Sequence, residues 1–219
     1  MFRERVLLPS RHRYLGDEMK NRAVFGLITA AYLIAGSATA EPLQSFVDTC
    51  LATNGEPAAV AAAAEAGDWF KMPAEVAEAM GEDFREPAIY LNFDPTRLKA
   101  ESPAGPIEML MTGWGDGKSI MEIDGLRLDF CGLASPEADS RTLDRDMTAR
   151  LGFSSITRDD MTFWLFSRQS GGFVSEAALM DSDDKSFVAA AQKRKIYALY
   201  IIEQDDMAGL VLGAVRPAP

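Results

Sequence analysis

Carboxylates supply most of the chemistry-bearing side chains of this 219-residue sequence. Its 33 acidic residues stand beside two cysteines, Cys50 and Cys131, and one histidine, His12, which lies in a leader that we expect to be removed. A Ser-His-Asp or Cys-His triad needs an imidazole, and so does the usual zinc site. Haem, iron–sulfur and type 1 copper centres lose their usual ligands as well. We therefore expect no cofactor, and only carboxylates remain for catalysis.

Three acidic clusters offer oxygen ligands of the kind that Ca²⁺ prefers. They lie at 159–160, 181–184 and 203–206, and the candidate ligands among them are Asp181, Asp183, Asp205 and Asp206. The EF-hand pattern fails at the second cluster, because a lysine stands at position five and no glycine at position six. Solvated turns and helix starts explain the same residues. A glycosidase would need two carboxylates about 5 to 10 Å apart, which no spacing here specifies.

Two short segments resemble catalytic or phosphate-binding motifs without matching them. The segment 112–119, TGWGDGKS, ends like a phosphate-binding loop, but Thr112 stands where the first glycine belongs. We also expect a strand after Lys118, whereas a bound phosphate needs a helix N-terminus. Ser182 and Lys185 fit S-x-x-K, yet the companion motifs are absent and neighbouring aspartates keep the lysine charged. A hairpin turn and a helix cap are the preferred interpretations.

Aromatic residues offer a candidate site of a different kind. An apolar pocket for a small ligand is predicted, and its lining candidates are Trp69, Trp114, Trp164 and Phe166. Aromatic side chains at strand spacing also make up an ordinary core, so both interpretations stay open. A pocket, if present, is expected near the middle strands and the predicted hairpin of residues 162–179.

An export signal precedes the part of the chain that folds. Residues 19–40 combine a short basic start, an apolar run of 13 residues and an A-x-A pattern that ends at Ala40. The run is shorter than the about 20 apolar residues of a membrane-spanning helix. We therefore expect cleavage after Ala40, a periplasmic or secreted protein and no membrane span in the mature chain. Residues 1–18 are interpreted as an extension ahead of a start at Met19.

The mature part is strongly acidic and contains two cysteines. Residues 41–219 carry 16 basic and 30 acidic residues, a net charge of −14, and no histidine. That charge argues against nucleic acid as a partner. Two cysteines in an exported chain predict a Cys50–Cys131 disulfide. Closing a loop of this length contributes about 4 kcal/mol in the chain-entropy treatment.

The hydrophobic period changes along the chain and indicates both helices and strands. Apolar residues at helical spacing predict five helices, and prolines or aspartates mark helix starts while glycines mark helix ends. The predicted helices are 43–51, 57–66, 73–80, 139–151 and one around 187–192. The last of these is expected to be capped by Ser182 or Asp183. Strands are predicted at 88–93, 107–113, 119–123, 126–133, 162–168, 173–179, 196–202 and 207–215. Asp124-Gly125 is a hairpin signal. The last two strands are apolar on both faces, which is typical of central strands.

The opening of the mature part resembles small exported proteins of Gram-negative bacteria. They share the pattern F-x-x-T-C-L, an alanine-rich helix and G-x-W, matched here by Phe46, Thr49, Cys50, Leu51, Gly67 and Trp69. A second cysteine at the end of a middle strand and the helix at 139–151 also match. The resemblance covers residues 43–151 and carries no known activity. It implies an exported location and a disulfide, but no chemistry.

Together these patterns predict a single α+β domain over residues 41–219. An antiparallel sheet, built from a meander and hairpins, is expected to pack against several helices. The expected function is non-catalytic: a binding or accessory protein of the cell envelope, whose partner is an envelope protein or a small apolar ligand. The alternative is a carboxylate-dependent hydrolase or a calcium-dependent enzyme.

Overall fold

The computed structural model describes residues 42–93, 95, 107–158, 160–204 and 206–218. The predicted extension and signal peptide lie outside these residues. The described part is a single α+β fold with nine strands and six α-helices, as predicted. The strands are β1 Phe70–Lys71, β2 Phe84–Leu91, β3 Met109–Asp116, β4 Leu126–Ser135, β5 Ile156–Arg158, β6 Met161–Gln169, β7 Gly172–Ser175, β8 Ile196–Gln204 and β9 Met207–Pro217. The helices are α1 Pro42–Phe46, α2 Pro57–Ala66, α3 Ala74–Glu78, α4 Gly117–Met121, α5 Ser140–Leu151 and α6 Asp184–Lys193.

All nine strands pair antiparallel in one sheet of order β1-β2-β3-β4-β9-β8-β6-β5, and β7 pairs with β6. The two strands nearest the C-terminus, β8 and β9, lie in the middle of this order, which confirms their prediction as central strands. Both faces of strands 196–204 and 207–217 are buried over most of their length, and apolar residues accordingly occupy both faces.

Helices cover both faces of the sheet. On the first face, α1, α2 and α5 join a π-helical turn, Val47–Leu51, over one core cluster that includes Trp164 and Phe166. On the second face, α4, α6 and a 3₁₀ turn, Ala177–Asp181, cover a cluster that includes Phe163 and Leu165. Helix α3 packs on a third cluster at the β2–β3 end of the sheet. Successive residues of β6 thus enter opposite cores, as the two-residue period of a strand requires.

The helix predictions are confirmed where the sequence contains clear start and stop residues. Helix 57–66 has the predicted bounds, and α5 begins after Asp139, whose side chain accepts a hydrogen bond from the Thr142 N–H at 2.8 Å. Gly152 ends α5 at φ +83°, a conformation in which glycine is unstrained. The predicted helix at 43–51 forms as α1 followed by the π-helical turn. Of the two proposed caps for α6, Asp183 is the one used.

The strand predicted at 119–123 is wrong, because these residues belong to α4 and the turn after it. Strand β3 runs on to Asp116 and pairs directly with β4, so residues 117–125 only connect the two. The meander is therefore β2-β3-β4. A five-residue helix does begin at Gly117 and includes Lys118, which removes one reason for rejecting a phosphate loop. The other reason remains, because Thr112 occupies the position of the first glycine of the motif. In addition, a Cβ on Gly115 would lie 2.7 Å from the Asp83 carbonyl oxygen, so the strand backbone at Gly115 is covered.

The second strand of the predicted 162–179 hairpin is shorter than expected. Strand β7 ends at Ser175, and the 3₁₀ turn takes up Ala177 to Asp181. The change of direction falls at Glu176, whose amide donates to the Leu165 carbonyl at 2.8 Å and whose side chain is buried. A buried, hydrogen-bonded glutamate therefore ends the strand before the apolar residues that follow.

Candidate functional site

A disulfide joins Cys50 to Cys131 as predicted, with 5.4 Å between the two Cα atoms. Cys50 lies in the π-helical turn, and Cys131 lies within β4. Cys131 faces α1 and α5 because it shares a side of β4 with Leu133, while Leu126 and Leu128 belong to the opposite core. Both cysteines are fully buried. The bond therefore fixes the π-helical turn to the middle of the sheet.

The same π-helical turn forms one wall of a cleft of about 490 Å³. The end of α5 and the β6–β7 hairpin supply the other walls. Its apolar side chains are Val47, Leu51 and Phe173, and its charged side chains are Asp48, Arg150 and Arg168. A cleft of this size lies in the range of small-molecule sites.

Arg168 is held in a fixed orientation at the edge of this cleft. Its Nη2 donates a 2.6 Å hydrogen bond to the Leu51 carbonyl oxygen. Its guanidinium lies 5.2 Å from the ring centre of Phe173 and 5.8 Å from that of Tyr197. These contacts restrict the orientation of the guanidinium, although the residue itself is exposed.

The other two charged side chains of the cleft, those of Arg150 and Asp48, have different neighbours. Arg150 lies in the last turn of α5, where a cation interacts favourably with the helix dipole, and it is exposed. Asp48 is also exposed, and its Oδ1 accepts a 2.7 Å hydrogen bond from the Gln44 side chain. Two guanidiniums and one carboxylate therefore line the cleft.

A row of charged residues continues from Arg168 across the first face of the sheet. Arg216 on β9 pairs with Asp129 on β4 at 2.7 Å and lies 3.7 Å from Glu56. Arg127 reaches the same Asp129 at 2.6 Å. The strand register explains the alignment, since β4 residue 127 pairs with β9 residue 216. The cleft thus lies beside a cluster of two arginines and two carboxylates.

Lys195 and Tyr197 lie between Arg168 and this cluster. Burial lowers the pKa of the Lys195 ammonium, and the nearby charges of Arg216 and Arg168 lower it further, against the effects of Glu56 and Asp129. Burial raises the pKa of the Tyr197 phenol. The Tyr197 hydroxyl donates to the Asn54 side-chain oxygen at 3.1 Å.

The four aromatic candidates lie elsewhere. Trp164 and Phe166 are fully buried in the first-face core, and Trp69 packs against the same core half-buried. Trp114 lies on β3, where the Arg127 guanidinium is 4.2 Å from its ring centre and the indole N–H donates to Glu86 at 3.3 Å. None of the four lines the cleft, although Phe166 meets the cleft residue Phe173 edge-on at 5.4 Å.

The residues that do line the cleft were missed by the sequence reasoning. A signal for Arg168 was present: it follows Trp164 and Phe166 at two-residue spacing and so continues their inward face. Leu51, which accepts its hydrogen bond, and Arg150, which lines the same cleft, belong to other elements of the chain. Only the topology of the fold brings them close to Arg168. Of the predicted site, only the hairpin location coincides with a wall of the cleft.

The acidic candidates have separate roles in the described residues. Asp183 caps α6 by accepting the Ser186 N–H at 2.7 Å, and this hydrogen bond lowers its pKa. Asp181 is exposed and lies 3.7 Å from Arg158. Asp206 is exposed in the β8–β9 turn, and Asp205 lies outside the described residues. Within the described part of the chain, no three His, Cys, Asp or Glu side chains are grouped so that they could hold a metal ion.

Glu108 is the buried acid that comes nearest to the hydrolase alternative. It is 4% exposed, and burial raises the pKa of its carboxyl, against a hydrogen bond from Ser45 that lowers it. Glu137 raises that pKa as well. A carboxyl of raised pKa beside a second acid is the pattern of a general acid. However, α1 covers Glu108 through Ser45, so a substrate has no access to it.

Comparison of the chain with models of protein families, with curated proteins and with solved structures found no match. No helix in the described ranges is both long and apolar enough to cross a membrane.

Proposed function

We propose that residues 41–219 are an exported, non-catalytic binding protein of the cell envelope, and that the cleft between the π-helical turn and the β6–β7 hairpin holds a small ligand. The leader pattern of residues 19–40 supports the location. The intramolecular disulfide is compatible with an oxidising, exported environment.

The cleft is the observation that carries this proposal. Its volume of about 490 Å³ suits a small molecule, and its walls are held before any ligand arrives. The disulfide holds one wall at Cys50, and the Arg168–Leu51 hydrogen bond joins that wall to the hairpin. A preformed site reduces the entropy lost on binding.

Binding is favoured over catalysis by the side chains of the cleft. None of the residues that line it is a serine, cysteine, histidine or lysine, so the described walls carry no nucleophile paired with a base. One carboxylate, Asp48, is present, whereas glycoside hydrolysis uses two. No observation on the described residues favours the calcium-dependent or hydrolytic alternative.

A cleft-filling variant tests the proposal. Ala52 is exposed, lines the cleft and has helical backbone angles, so Ala52→Trp should fill the cleft without unfolding the protein. Ala62→Trp is the matched control, because Ala62 is an exposed alanine of α2 that does not line the cleft. Ligands are sought by ¹H–¹⁵N NMR with disulfide-bonded residues 41–219 and a set of fragments of about 10 to 15 heavy atoms.

We expect some fragments to shift the amide resonances of Gly172 and Phe173, and Ala52→Trp to abolish these shifts. Ala62→Trp should leave them unchanged. Fragments that bind only elsewhere, or shifts that persist in Ala52→Trp, would show that this cleft is not a binding site.

A further inference from the structure

We infer that the cleft is selective for a carboxylate carried on a small apolar body. This inference rests on the proposed function and adds the chemical class of the ligand. It depends on three features of the site: two guanidiniums that pair with no described carboxylate, the charge of their surroundings, and the apolar surface of the cleft.

The first feature is that Arg150 and Arg168 face the cleft without an acidic partner. Neither arginine forms an ion pair with any carboxylate in the ranges that the structure describes. Arg168 uses one N–H on the Leu51 carbonyl and keeps its remaining donors for another acceptor. A guanidinium that is anchored on a backbone carbonyl and contacts two aromatic rings can still offer a carboxylate two parallel N–H groups.

The second feature is a local excess of positive charge in an acidic protein. Residues 41–219 have a net charge of −14, yet the cleft has two cations and one anion. The adjoining row adds Lys195, Arg127 and Arg216 against Asp129 and Glu56. Lys195 forms no ion pair with a described carboxylate either. This arrangement attracts an anion to one place on a surface that otherwise repels it.

The charge of the cleft also favours a single negative charge on the ligand. Arg150 and Arg168 together with Asp48 leave one positive charge uncompensated. A carboxylate matches that charge, whereas a phosphate dianion would leave one negative charge in excess beside Asp48. The Asp48 carboxylate repels an anion, so the anion site lies on the arginine side of the cleft.

The third feature is the apolar surface of the cleft. Phe173 is half-buried, and the buried side chains of Val47 and Leu51 line the same cleft. Burying an apolar body against these side chains contributes about 25 cal/mol per Å² of surface removed from water. The ligand therefore needs both the charged group and an apolar part, and the volume limits it to a small molecule.

The test compares octanoate with octanamide, which has the same chain length and nearly the same shape but no charge. The protein is disulfide-bonded residues 41–219, and binding is followed by ¹H–¹⁵N NMR, including the side-chain Nε–H signals of arginine. We expect octanoate to bind at the cleft at least about tenfold more tightly than octanamide and to shift the Arg168 Nε–H signal. Added salt should weaken octanoate alone.

Arg150→Gln is the variant that tests the charge. Arg150 is exposed and makes no hydrogen bond or ion pair with the other described residues, so the fold should not depend on it. We expect the variant to weaken octanoate about two- to fivefold, the range of an exposed ion pair, and to leave octanamide unchanged. Arg141→Gln removes the same charge from the first turn of the same helix, away from the cleft, and should have no effect.

The outcomes separate this inference from the proposed function. Equal affinities for octanoate and octanamide at the cleft would overturn the selectivity for a carboxylate and leave the binding function standing. No binding of either probe, or equal weakening by Arg150→Gln and Arg141→Gln, would overturn the inference as well. N-acetyl-leucine is the third probe: tighter binding than octanoate assigns the site to the carboxyl ends of peptides, and weaker binding assigns it to free acids.

Discussion

Glu176 allows a quantitative test of the packing beside the cleft hairpin. Its side chain is 10% exposed and accepts three hydrogen bonds: one from the Ser167 hydroxyl at 2.7 Å and two from Arg194, each at 2.6 Å. These bonds join the 3₁₀ turn and the end of α6 to β6. Glu176→Gln keeps the shape of the side chain but removes its charge.

The expected loss of stability follows from Arg194, which keeps its charge but loses its charged partner in the variant. A hydrogen bond to a charged group contributes about 1.5 to 3 kcal/mol. Arg194 is 38% exposed, so water replaces part of what it loses, and we expect Glu176→Gln to lower the free energy of unfolding by about 2 kcal/mol at pH 7. Urea unfolding of the disulfide-bonded protein measures the difference.

The pH dependence gives a sharper criterion. The Arg194 guanidinium, followed by the Ser167 hydroxyl, lowers the pKa of Glu176 below its value in the unfolded chain, although burial partly opposes this. The stabilisation is therefore complete above the unfolded pKa of about 4.3 and is lost as pH falls through the folded pKa. The difference between wild type and Glu176→Gln should shrink towards zero as the carboxyl is protonated. A difference that is the same at pH 7 and pH 3, or one no larger than that of the exposed control Glu82→Gln, would refute this account.

Three further perturbations test other parts of the structure. Replacing Cys50 and Cys131 by alanine together should lower the free energy of unfolding by about 3 to 4 kcal/mol, because the bond spans 81 residues; urea unfolding with and without reductant measures this. Tyr197→Phe removes a hydroxyl donor and should cost about 1 kcal/mol in the same assay. Gly117→Ala should lower the melting temperature by an amount equivalent to about 1 to 3 kcal/mol, since its Cβ would lie 2.8 Å from a backbone oxygen, whereas Gly171→Ala, with open space around it, should be neutral. Equal effects of the two glycine variants would contradict the packing described for α4.

The sequence predicted the elements whose signals are local. Strands β8 and β9 were recognised because apolar residues occupy both of their faces, and α5 because Asp139 and Gly152 mark its ends. The disulfide could be predicted because the chain has two cysteines and carries the pattern of an export signal. None of these predictions needed knowledge of which strands pair.

The failures occur where tertiary packing decides the structure. Residues 119–123 alternate like a strand, but β3 and β4 already pair up to Asp116, and Ile120 packs against Gly115 instead of extending the sheet. Glu122 then adopts φ +59° at the end of α4. The cleft depends on contacts such as that between Arg168 and Leu51, which are 117 residues apart. Local periodicity contains no information about such pairs.

The position of β9 constrains the order in which this sheet can assemble. Strand β9 pairs with β4 on one side and β8 on the other, so the strands from β1 to β4 and those from β5 to β8 form separate groups until residues 207–217 are in place. A chain that emerges from its N-terminus delivers this joining strand after the other eight. Until then β4 and β8 each present an unpaired edge, and such edges promote aggregation. The protein is therefore expected to depend on chaperones most strongly in the interval before β9 emerges.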